Sequence, residues 1–536
     1  MKLCEAGLVN KSEWESKGYV LPKYDRAEMI AKTKANPYWV HFGAGNIFRA
    51  FQANVVQNLL NYGKLDRGIT VVEGYDYEII EKSYRPNDNY SILITLKSDG
   101  NVDKTVVGSI AESCILDSNS QDEFDRLKEI FNNPSLQMVT FTITEKGYVI
   151  KDADGNFLPA VLSDVNAGPE KPDSYIAKVV SLLYSRYMNG AYPIAMVSTD
   201  NCSHNGDKLY AAVEGIASGW VSTGKVDAGF VEYVKDETKV SFPWSMIDKI
   251  TPRPDESVEK LLKADGLEGL EPIITSKNTY VAPFVNAEET EYLVIEDKFP
   301  NGRPALEDGG IIFTDKETVD KVEKMKVCTC LNPLHTALAV YGCLLGYTKI
   351  SDEMKDADLK KMVEIIGYKE GLPVVVNPGV LDPQEFIDTV LNVRVPNPFM
   401  PDTPQRIATD TSQKLSIRFG ETIKNYIKTG RSLGDLKLIP LVFAGWMRYL
   451  MAIGDDGKPF ELSPDPLVPE VCKYVEGIKL GDKVTDDKLH GLMSNNQIFG
   501  VDLYEVGLAD TVLGLFNELI AEVGAVRNTV HKNVGL

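Results

Sequence analysis

A strand, a glycine-rich turn and a helix follow one another near the start of the chain, and this unit constrains the fold more than any other feature. Residues 38–42 form a short apolar run that predicts a strand, and Gly43-Ala44-Gly45-Asn46 follows it. Apolar residues then recur at helical spacing as far as Gly63, which predicts a helix that ends there. Glycines let the backbone approach a pyrophosphate, and a helix N-terminus favours its negative charge. The pattern therefore predicts the first unit of a dinucleotide-binding fold.

The glycine pattern is incomplete, because Phe48 stands where the G-x-G-x-x-G pattern has its third glycine. A bare G-x-G is also found in ordinary turns, which is the alternative interpretation. The strand and the helix on either side favour a nucleotide site. The residues of the turn that we predict to bind the cofactor are Gly43, Ala44, Gly45, Asn46, Ile47 and Phe48.

Two acidic residues follow the next predicted strand, residues 69–72. Glu73 and Asp76 lie 28 and 31 residues after Gly45, and either one is suited to bind a ribose hydroxyl. Such a contact favours NAD over NADP. A solvated loop acid is the competing interpretation of both residues.

Strands and helices alternate over the first part of the chain. Residues 136–144 and 193–198 predict strands, and residues 175–188 predict a helix between them. This order indicates a parallel sheet with helices on both faces, in which ligands bind at the carboxyl ends of the strands. Thr144 and Glu145 fall at one such end and are further cofactor-binding candidates; Asp200-Asn201 falls at another.

The pattern changes near residue 317, after which helical periodicity dominates. The fold class that we predict is an α/β N-terminal Rossmann-type domain with a parallel sheet, residues 1–316, plus a mostly α-helical C-terminal domain, residues 317–536. The segments with helical period in the second domain are 317–347, 352–367, 383–392, 403–429 and 505–523.

Three polar residues stand beside the apolar run of residues 336–345. Asn332 and His335 are three apart and would share a helix face, whereas Lys326 is nine before His335 and would face the opposite side. An irregular turn is needed to bring the three together, and Pro333 disturbs a helix at this point. We predict a kink or a one-residue bulge near residues 329–333. The alternative is a core helix whose polar groups are satisfied within the protein.

Charge and cysteine content exclude several classes of function. The formal net charge of −20 is spread along the chain, so we expect no binding to nucleic acid or to an anionic membrane. The N-terminus shows no apolar signal-peptide core, and seven scattered cysteines are typical of reduced thiols in the cytoplasm. Cys328, Cys330 and His335 are close in sequence, but their spacing matches no standard zinc site. We therefore predict buried thiols and no metal.

Five stretches of the chain resemble one family. They are HFGAGNIFRAF at the glycine-rich turn, TITEKGY at a strand end, STDNCSHNG after the strand of residues 193–198, SFPWSMIDKITP, and RIATDTSQKL in the helical part. Together they resemble the polyol-specific long-chain dehydrogenase (mannitol dehydrogenase) family, and the overall sequence is most similar to its fructuronate reductase (mannonate oxidoreductase) branch. The resemblance runs over most of the chain. It implies a Rossmann-type domain, a helical domain and an active site between them.

The resemblance also implies roles for individual residues. Lys326 matches the lysine that carries the proton, and Glu323 matches a glutamate placed to conduct protons to solvent. The remaining implied positions are Asn201, Asn332 and His335 as catalytic residues, and Asp248, Arg406 and Lys414 in the substrate pocket. One departure is that the family spaces the lysine five residues before the asparagine, whereas here the spacing is six. The extra residue, among 327–331, must bulge out if Lys326 is to keep its role.

The chemistry that follows is the interconversion of a ketone and a secondary alcohol. NAD(H) would supply the hydride partner, Lys326 would move the proton without a metal, and Asn201 and Asn332 would donate to the oxygen as it gains charge. Arg406 and Lys414 are eight residues apart, about 80° round a helix, so both could reach the carboxylate of a sugar acid.

We expect NADH-dependent reduction of D-fructuronate to D-mannonate by a cytoplasmic enzyme that is a monomer or weak oligomer and binds a small sugar acid or polyol. The alternatives are a mannitol 2-dehydrogenase, a tagaturonate reductase or another polyol dehydrogenase. An alternative of another class is a catalytically silent NAD-binding protein.

Overall fold

The computed structural model, which describes residues 1–253 and 256–535, separates the chain into two units. The first unit comprises Met1–Lys97 and Asn101–Asp320, and the second comprises Ser98–Gly100 and Lys321–Leu536. All strands with two or more described residues lie before residue 315. They are β1 (Tyr19–Val20), β2 (Trp39–Phe42), β3 (Ile69–Glu73), β4 (Ser91–Leu96), β5 (Val102–Val107), β6 (Ile110–Ile115), β7 (Met138–Phe141), β8 (Ile194–Ser198), β9 (Val240–Ser241), β10 (Ser245–Asp248), β11 (Ile273–Ile274), β12 (Tyr280–Val281), β13 (Phe284–Glu288), β14 (Tyr292–Glu296) and β15 (Ile312–Thr314).

A six-stranded sheet in the order β6-β3-β2-β7-β8-β9 forms the centre of the first unit. Every neighbouring pair in it is parallel, with Val40 opposite both Thr70 and Val139. The predicted parallel sheet of a Rossmann-type domain is therefore confirmed. The strand predicted over residues 136–144 is shorter than expected: it comprises Met138–Phe141.

Helices cover both faces of this sheet. The helices that begin in the first unit are α1 (Lys11–Ser16), α2 (Arg26–Ala35), α3 (Asn46–Ala50), α4 (Gln52–Asn61), α5 (Gln121–Asn132), α6 (Pro159–Ala167), α7 (Tyr175–Met188), α8 (Asn205–Ser222), α9 (Ala228–Lys235), α10 (Glu256–Ala264) and α11 (Lys316–Met325). Val40 and Phe42 pack on one face with α5, α7, α8 and α9, whereas Trp39 packs on the other with α3 and α4. Successive residues of a strand point to opposite faces, so β2 is buried on both sides.

Smaller sheets, which the sequence did not predict, add to the first unit. One has the order β1-β5-β4-β13, a second β10-β14-β15, and a third pairs β11 with β12. They contain antiparallel pairs as well as parallel ones, such as β4 with β5 and β10 with β14. The insertion between β9 and α11 therefore contributes sheet structure beyond the dinucleotide-binding core.

The second unit is helical, as the sequence predicts, and over residues 321–535 its β-structure is limited to an isolated bridge between Ile453 and Pro459. Its helices are α12 (Asn332–Leu345), α13 (Ile350–Glu353), α14 (Ala357–Glu364), α15 (Pro383–Thr389), α16 (Pro404–Ile407), α17 (Thr411–Leu415), α18 (Glu421–Thr429), α19 (Leu438–Tyr449), α20 (Val468–Val471), α21 (Asp486–Met493), α22 (Asn496–Phe499), α23 (Ala509–Leu519) and α24 (Ala525–Val534).

Wider π-helical turns interrupt or extend several of these helices. Over the described residues they are Ile80–Tyr84, Lys326–Cys330, Ile365–Gly371, Val390–Arg394 and Ser416–Gly420. Short 3₁₀ turns occupy Arg85–Asn87, Glu145–Tyr148, Leu306–Gly309, Leu372–Val374, Leu433–Asp435 and Cys472–Tyr474. Turns of the π type are rare in proteins and are frequent at functional sites.

One helical stretch of the described residues, Lys316–Leu345, is long and apolar enough to cross a membrane by length and composition alone. Within its most apolar window, 78% of the residues are buried in the molecule. A helix in the core of a water-soluble domain meets the same criteria, so this finding is weak evidence for a membrane span.

Glu353 is a buried acid of the second unit whose environment disfavours its charge. Its side chain is fully buried, and neither carboxyl oxygen has a hydrogen-bond partner within the described part of the chain. A Cβ added to Gly342, on α12, would lie 2.1 Å from its Oε1, so the carboxyl group is packed directly against that helix. Burial, and then the nearby charge of Asp356, raise the pKa of Glu353 from 4.5 to about 9.

Glu353→Gln should make the protein more stable at pH 8 and leave its stability at pH 4.5 nearly unchanged. Below the usual carboxyl range, both the folded and the unfolded chain hold this proton. As the pH rises toward 9, the unfolded chain releases it first, so the free energy of unfolding of the wild type falls by up to about 1.4 kcal/mol per pH unit. The neutral amide removes this loss. Urea unfolding of both proteins across this pH range measures the difference.

Glu370→Gln is the matched control. At this position the same change from glutamate to glutamine should destabilise the protein. The carboxylate of Glu370 accepts hydrogen bonds from the backbone N–H groups of Lys437 and Leu438, both at 2.8 Å, and of Ile439 at 2.9 Å. An amide would turn an N–H₂ group toward these donors and cost about 1–3 kcal/mol. A Glu353→Gln variant that is less stable than the wild type at pH 8 would contradict the assignment.

Candidate active site

The glycine-rich turn after β2 has a backbone shape that only glycine adopts readily. Gly43 has φ +110°, its N–H donates to Val72 O at 2.8 Å, and an added Cβ would lie 2.1 Å from Thr142 O. At Gly45, by contrast, an added Cβ would meet no atom within 4 Å. The first glycine therefore closes the turn, and the second leaves open space beside the backbone. This arrangement fits a dinucleotide whose pyrophosphate approaches the chain at Gly45.

Contacts from two other elements fix the turn at Ala44. Its N–H donates to Glu73 Oε2 at 2.9 Å, and its carbonyl oxygen accepts from the Tyr84 hydroxyl at 3.0 Å. The other oxygen of Glu73 accepts from the backbone N–H groups of Tyr75 and Asp76, at 2.8 and 3.1 Å. Glu73 is buried and holds the turn in place, so it is not the solvated loop acid of the competing interpretation.

Asp76, the second candidate for the ribose, is also buried, and it accepts a hydrogen bond from the Thr275 hydroxyl at 2.6 Å. Neither acid is therefore a free surface carboxylate. The ribose contact of Glu73 and Asp76 stays a prediction.

Phe48 replaces the third glycine with a different form of helix–strand packing. Its ring is fully buried and stacks on His41 of β2, with 4.1 Å between the ring centroids and 7° between the planes. His41 Nδ1 lies 2.7 Å from Thr140 Oγ1, and burial lowers the pKa of His41 to about 3, so the imidazole is neutral. The third glycine usually permits close approach of helix and strand; here two stacked flat rings fill the space.

The strand end at residues 142–145 is held in an unusual conformation. Thr144 has φ +68° and ψ +156°, which a β-branched residue rarely adopts. The carboxylate of Asp200, after β8, accepts from the backbone N–H groups of Ile143 at 3.0 Å and Thr144 at 2.9 Å. Glu145 forms an ion pair with Lys208. Asp200 thus fixes the backbone at Thr144, one of the two predicted cofactor residues in this loop.

Asn201 and Asp248 belong to two motifs of the first unit. Asn201 is exposed just after β8, and Asp248 is buried at the end of β10. Asn205 connects the two motifs, because its side-chain amide donates to Asp200 O and Ser245 O at 3.0 Å and its oxygen accepts from Ser245 N at 3.0 Å. The second asparagine of STDNCSHNG is therefore a structural link between this motif and SFPWSMIDKITP.

The irregular turn predicted before Pro333 is present. Lys326–Cys330 is a π-helical turn, in which the N–H of Leu331 donates to Lys326 O at 3.1 Å. Leu331 then leaves helical angles with φ −129°, and α12 begins at Asn332 with Pro333 at its first turn. A π turn holds one more residue than an α turn, which agrees with the bulge expected among residues 327–331. Lys326 is buried, with 4% of its surface exposed.

His335 lies next to an acid that the sequence analysis did not identify. Asp402 is buried; its Oδ2 is 3.8 Å from His335 Nε2, and its Oδ1 pairs with Arg406. An acid four residues before an arginine, in the short run between two helices, is the sequence signal that could have indicated this contact. Asp402 therefore connects two of the predicted site residues within the second unit.

The geometry assumed for Arg406 and Lys414 is wrong, because they do not lie on one continuous helix. Arg406 is in α16 and Lys414 in α17, and Asp410 between them has φ +55°. Lys414 donates to the carbonyl oxygens of Thr409 and, at 3.5 Å, Ile407. An estimate of about 80° round one helix does not apply across this break. The substrate-binding role of both residues stays a prediction.

A second residue that the sequence analysis missed is Arg418, which donates to the hydroxyl of Thr336 on α12. It lies four residues after Lys414, so helical spacing from the RIATDTSQK motif could have pointed to it.

No cluster of three or more His, Cys, Asp or Glu side chains is arranged to hold a metal within residues 1–253 and 256–535. The two cysteines after Lys326 differ from the predicted buried pair: Cys330 is buried, whereas Cys328 is partly exposed. Burial raises the pKa of the Cys330 thiol to about 12, so it is an uncharged packing group at neutral pH.

Two family models match the chain. The mannitol dehydrogenase Rossmann domain matches residues 38–308, and the mannitol dehydrogenase C-terminal domain matches residues 318–514. The D-mannonate oxidoreductase of Thermotoga maritima is 52% identical over 539 aligned residues, which cover 100% of this chain and 99% of that protein.

Two solved structures share the fold along nearly the whole chain. A substrate-free D-sorbitol dehydrogenase is 25% identical, with a TM-score of 0.79, over 96% of this chain and 97% of its own. The mannitol 2-dehydrogenase of Pseudomonas fluorescens, in a ternary complex with NAD and D-mannitol, is 26% identical, with a TM-score of 0.68, over 99% of both chains.

Alanine at the two glycines of the turn should have different effects. Gly43→Ala should lower both the melting temperature and the affinity for NADH, because its Cβ collides with Thr142 O and its φ is strained. Gly45→Ala should leave the melting temperature within about a degree, since its Cβ meets open space, and should weaken NADH binding by about tenfold or more.

Thermal unfolding and titration of NADH by protein-fluorescence quenching measure these effects in the two variants. Unchanged NADH affinity in Gly45→Ala would show that the cofactor does not approach the turn at this residue.

Proposed function

Because the chain belongs to the mannitol dehydrogenase family, and is thus an NAD-dependent dehydrogenase that acts on a CH–OH group, we propose that it reduces D-fructuronate to D-mannonate with NADH. The observation that carries the proposal is the 52% identity, over the full length of both chains, to a D-mannonate oxidoreductase. The motifs at the glycine-rich turn, at residues 198–206 and at residues 406–414 support the same assignment.

NADH would be held by the turn of Gly43–Gly45 and by residues 46–48, with Glu73, Asp76, Thr144 and Glu145 as further contacts. When bound, the cofactor supplies the hydride that reduces the ketone. The protein's part is to fix its position: Glu73 and Tyr84 hold Ala44, and Asp200 holds the backbone of Thr144. A fixed turn lowers the entropy lost on binding.

Lys326 would give a proton to the carbonyl oxygen during reduction and take it back during oxidation. Its burial supports this role, because exclusion of water strengthens the electrostatic interactions of a group that transfers a proton. Glu323, three residues earlier, would exchange the proton with solvent. Asn332 at the start of α12 and Asn201 would donate hydrogen bonds to the oxygen as it gains charge.

His335 would bind a substrate hydroxyl next to the reacting carbon. Asp402, whose Oδ2 is 3.8 Å from His335 Nε2, would favour one orientation of the imidazole ring. Asp248, Arg406 and Lys414 would contact the remaining substrate hydroxyls. With these roles, residues 317–536 would form the substrate-binding and catalytic domain and residues 1–316 the NAD-binding domain.

A polyol dehydrogenase is the second candidate. The structure of mannitol 2-dehydrogenase with NAD and D-mannitol, which shares the fold over 99% of the chain, favours it. A polyol enzyme requires mainly neutral hydrogen-bonding groups around the substrate, whereas a sugar-acid enzyme requires a cation for the carboxylate.

A substrate panel followed at 340 nm tests the proposal. Fructuronate, tagaturonate and fructose are offered with NADH and NADPH, and mannonate, mannitol and arabinitol with NAD. The expected result is a fast oxidation of NADH with fructuronate and a kcat/KM at least tenfold lower with the other ketoses. Fast turnover of fructose and mannitol, with none of fructuronate, would overturn the proposal in favour of the polyol enzyme.

Lys326→Ala should reduce kcat by about a hundredfold to ten-thousandfold and leave the affinity for NADH unchanged, because the side chain would act only on the proton. Lys324→Ala is the matched control, since Lys324 is an exposed lysine of the same helix. Steady-state rates and NADH titrations of both variants measure these two effects. Full activity of Lys326→Ala would remove this lysine from the mechanism and would favour a different proton carrier.

A further inference from the structure

Three cations lie close to Asp410 in the sequence, namely Arg406, Lys414 and Arg418. The first two already have partners in the protein. Arg406 is paired with the carboxylate of Asp402. Lys414 donates to the carbonyl oxygens of Ile407 and Thr409, and the charges of Asp410 and Asp465 act on it. A carboxylate of a ligand would therefore compete with protein groups at both residues.

Arg418 differs from both, because no acid compensates its charge. Its side chain is half-buried, and among the described residues its one hydrogen bond is the donation from Nη1 to Thr336 Oγ1. No carboxylate of residues 1–253 or 256–535 forms an ion pair with it. Burial lowers the pKa of the guanidinium to about 10, so it still carries its charge at neutral pH. Four of its five N–H donors are thus available to a ligand.

The position of Arg418 relates it to the predicted catalytic residues of α12. The Thr336 hydroxyl, which accepts from Arg418, donates to Asn332 O at 2.9 Å. Asn332 and Thr336 are four residues apart and lie on one face of the helix. The guanidinium is therefore adjacent to the same face of α12 that begins with Asn332, one turn along.

Lys414 is a cation close to Arg418. Burial lowers the pKa of Lys414, and the neighbouring charge of Arg418 lowers it further. A half-buried guanidinium without a counter-ion is costly, and natural proteins rarely keep one without a purpose. A carboxylate that arrives with the substrate would remove this cost, and its two oxygens match the fork of an arginine.

We propose that Arg418 is a specificity-determining residue that binds the carboxylate of a hexuronate substrate. The inference rests on the proposed function, because it assigns the acid group of fructuronate to one side chain of the same site. In fructuronate the carboxylate and the ketone lie toward opposite ends of the carbon chain. A ketone at Asn332 and a carboxylate one helical turn away at Arg418 are compatible with that separation.

The test is to measure the affinity of the enzyme–NADH complex for D-mannonate and for D-mannitol. No reaction disturbs this measurement, because neither alcohol can transfer a hydride to NADH. The wild type should bind mannonate at least tenfold more tightly than mannitol. Arg418→Gln should weaken the affinity for mannonate by about 100-fold, because the buried carboxylate loses its partner. The affinity for mannitol should change by less than about twofold. Arg431→Gln, the same change at an exposed arginine, should alter neither affinity.

Equal weakening of both ligands in Arg418→Gln would show that Arg418 only supports α12 through Thr336, and would overturn the proposal. Unchanged mannonate affinity would overturn it too. If Arg418→Gln does not fold, Arg418→Lys replaces it: the charge remains, the fork is lost, and mannonate alone should weaken by about tenfold. A loss for both ligands, or for neither, would contradict the assignment.

The outcome for Arg418 can be separated from that for the proposed function. Failure of the wild type to reduce fructuronate refutes the proposed reaction, yet the mannonate titration still tests Arg418 as a carboxylate site. A wild type that reduces fructuronate but binds mannonate no more tightly than mannitol retains the reaction and refutes the role of Arg418.

Discussion

The i→i+5 hydrogen bond from Leu331 N–H to Lys326 O is the interaction on which the predicted catalytic residues of the second unit depend. On a regular α-helix, Lys326 and His335, nine residues apart, would point in opposite directions. The π turn Lys326–Cys330 holds one residue more than an α turn, and Leu331 then leaves helical angles with φ −129°, so this regular relation does not hold between them. The direction of Lys326 is therefore set by this turn and not by the periodicity of α12.

In the first unit, packing accommodates a phenylalanine at a position where a glycine is usual. The third glycine of the nucleotide-binding pattern normally lets a helix approach the strand before it; this chain has Phe48 there. The Phe48 ring stacks on His41 of β2. Burial keeps His41 neutral, and a hydrogen bond with Thr140 holds its ring. Glu73 and Tyr84 then hold the turn at Ala44, so its shape does not depend on the missing glycine.

Local sequence patterns predicted much of this fold, and long-range contacts account for the rest. The parallel sheet and α7 follow from runs of apolar residues, and the irregular turn before Asn332 follows from spacing and Pro333. Residues 403–429 have a helical period, and the spacing of Arg406 and Lys414 assumes one continuous helix between them. The helix breaks there, since Asp410 N–H donates to Pro464 O, at 2.9 Å, and Asp465 accepts from Ser412 N–H at 2.8 Å.

The periodicity of apolar residues gives no sign of the contact between Ser412 and Asp465, which are 53 residues apart in the chain. Asp402 and Arg418 were missed for the same reason. The contacts of Asp402 with His335 and of Arg418 with Thr336 join segments that are 67 and 82 residues apart in sequence.

The distribution of charge connects these features to the choice of substrate. A chain with a net charge of −20 repels an anion at long range, so an acidic substrate must be attracted by local cations in a partly desolvated place. Counting cations near α12 does not identify that place, because Arg406 is neutralised by Asp402. What distinguishes the three residues is their partners: two are satisfied by the protein, and Arg418 has only a hydroxyl. Since an unpaired, half-buried charge raises the free energy of the unliganded state, a ligand that neutralises it gains affinity that a neutral polyol of the same size does not.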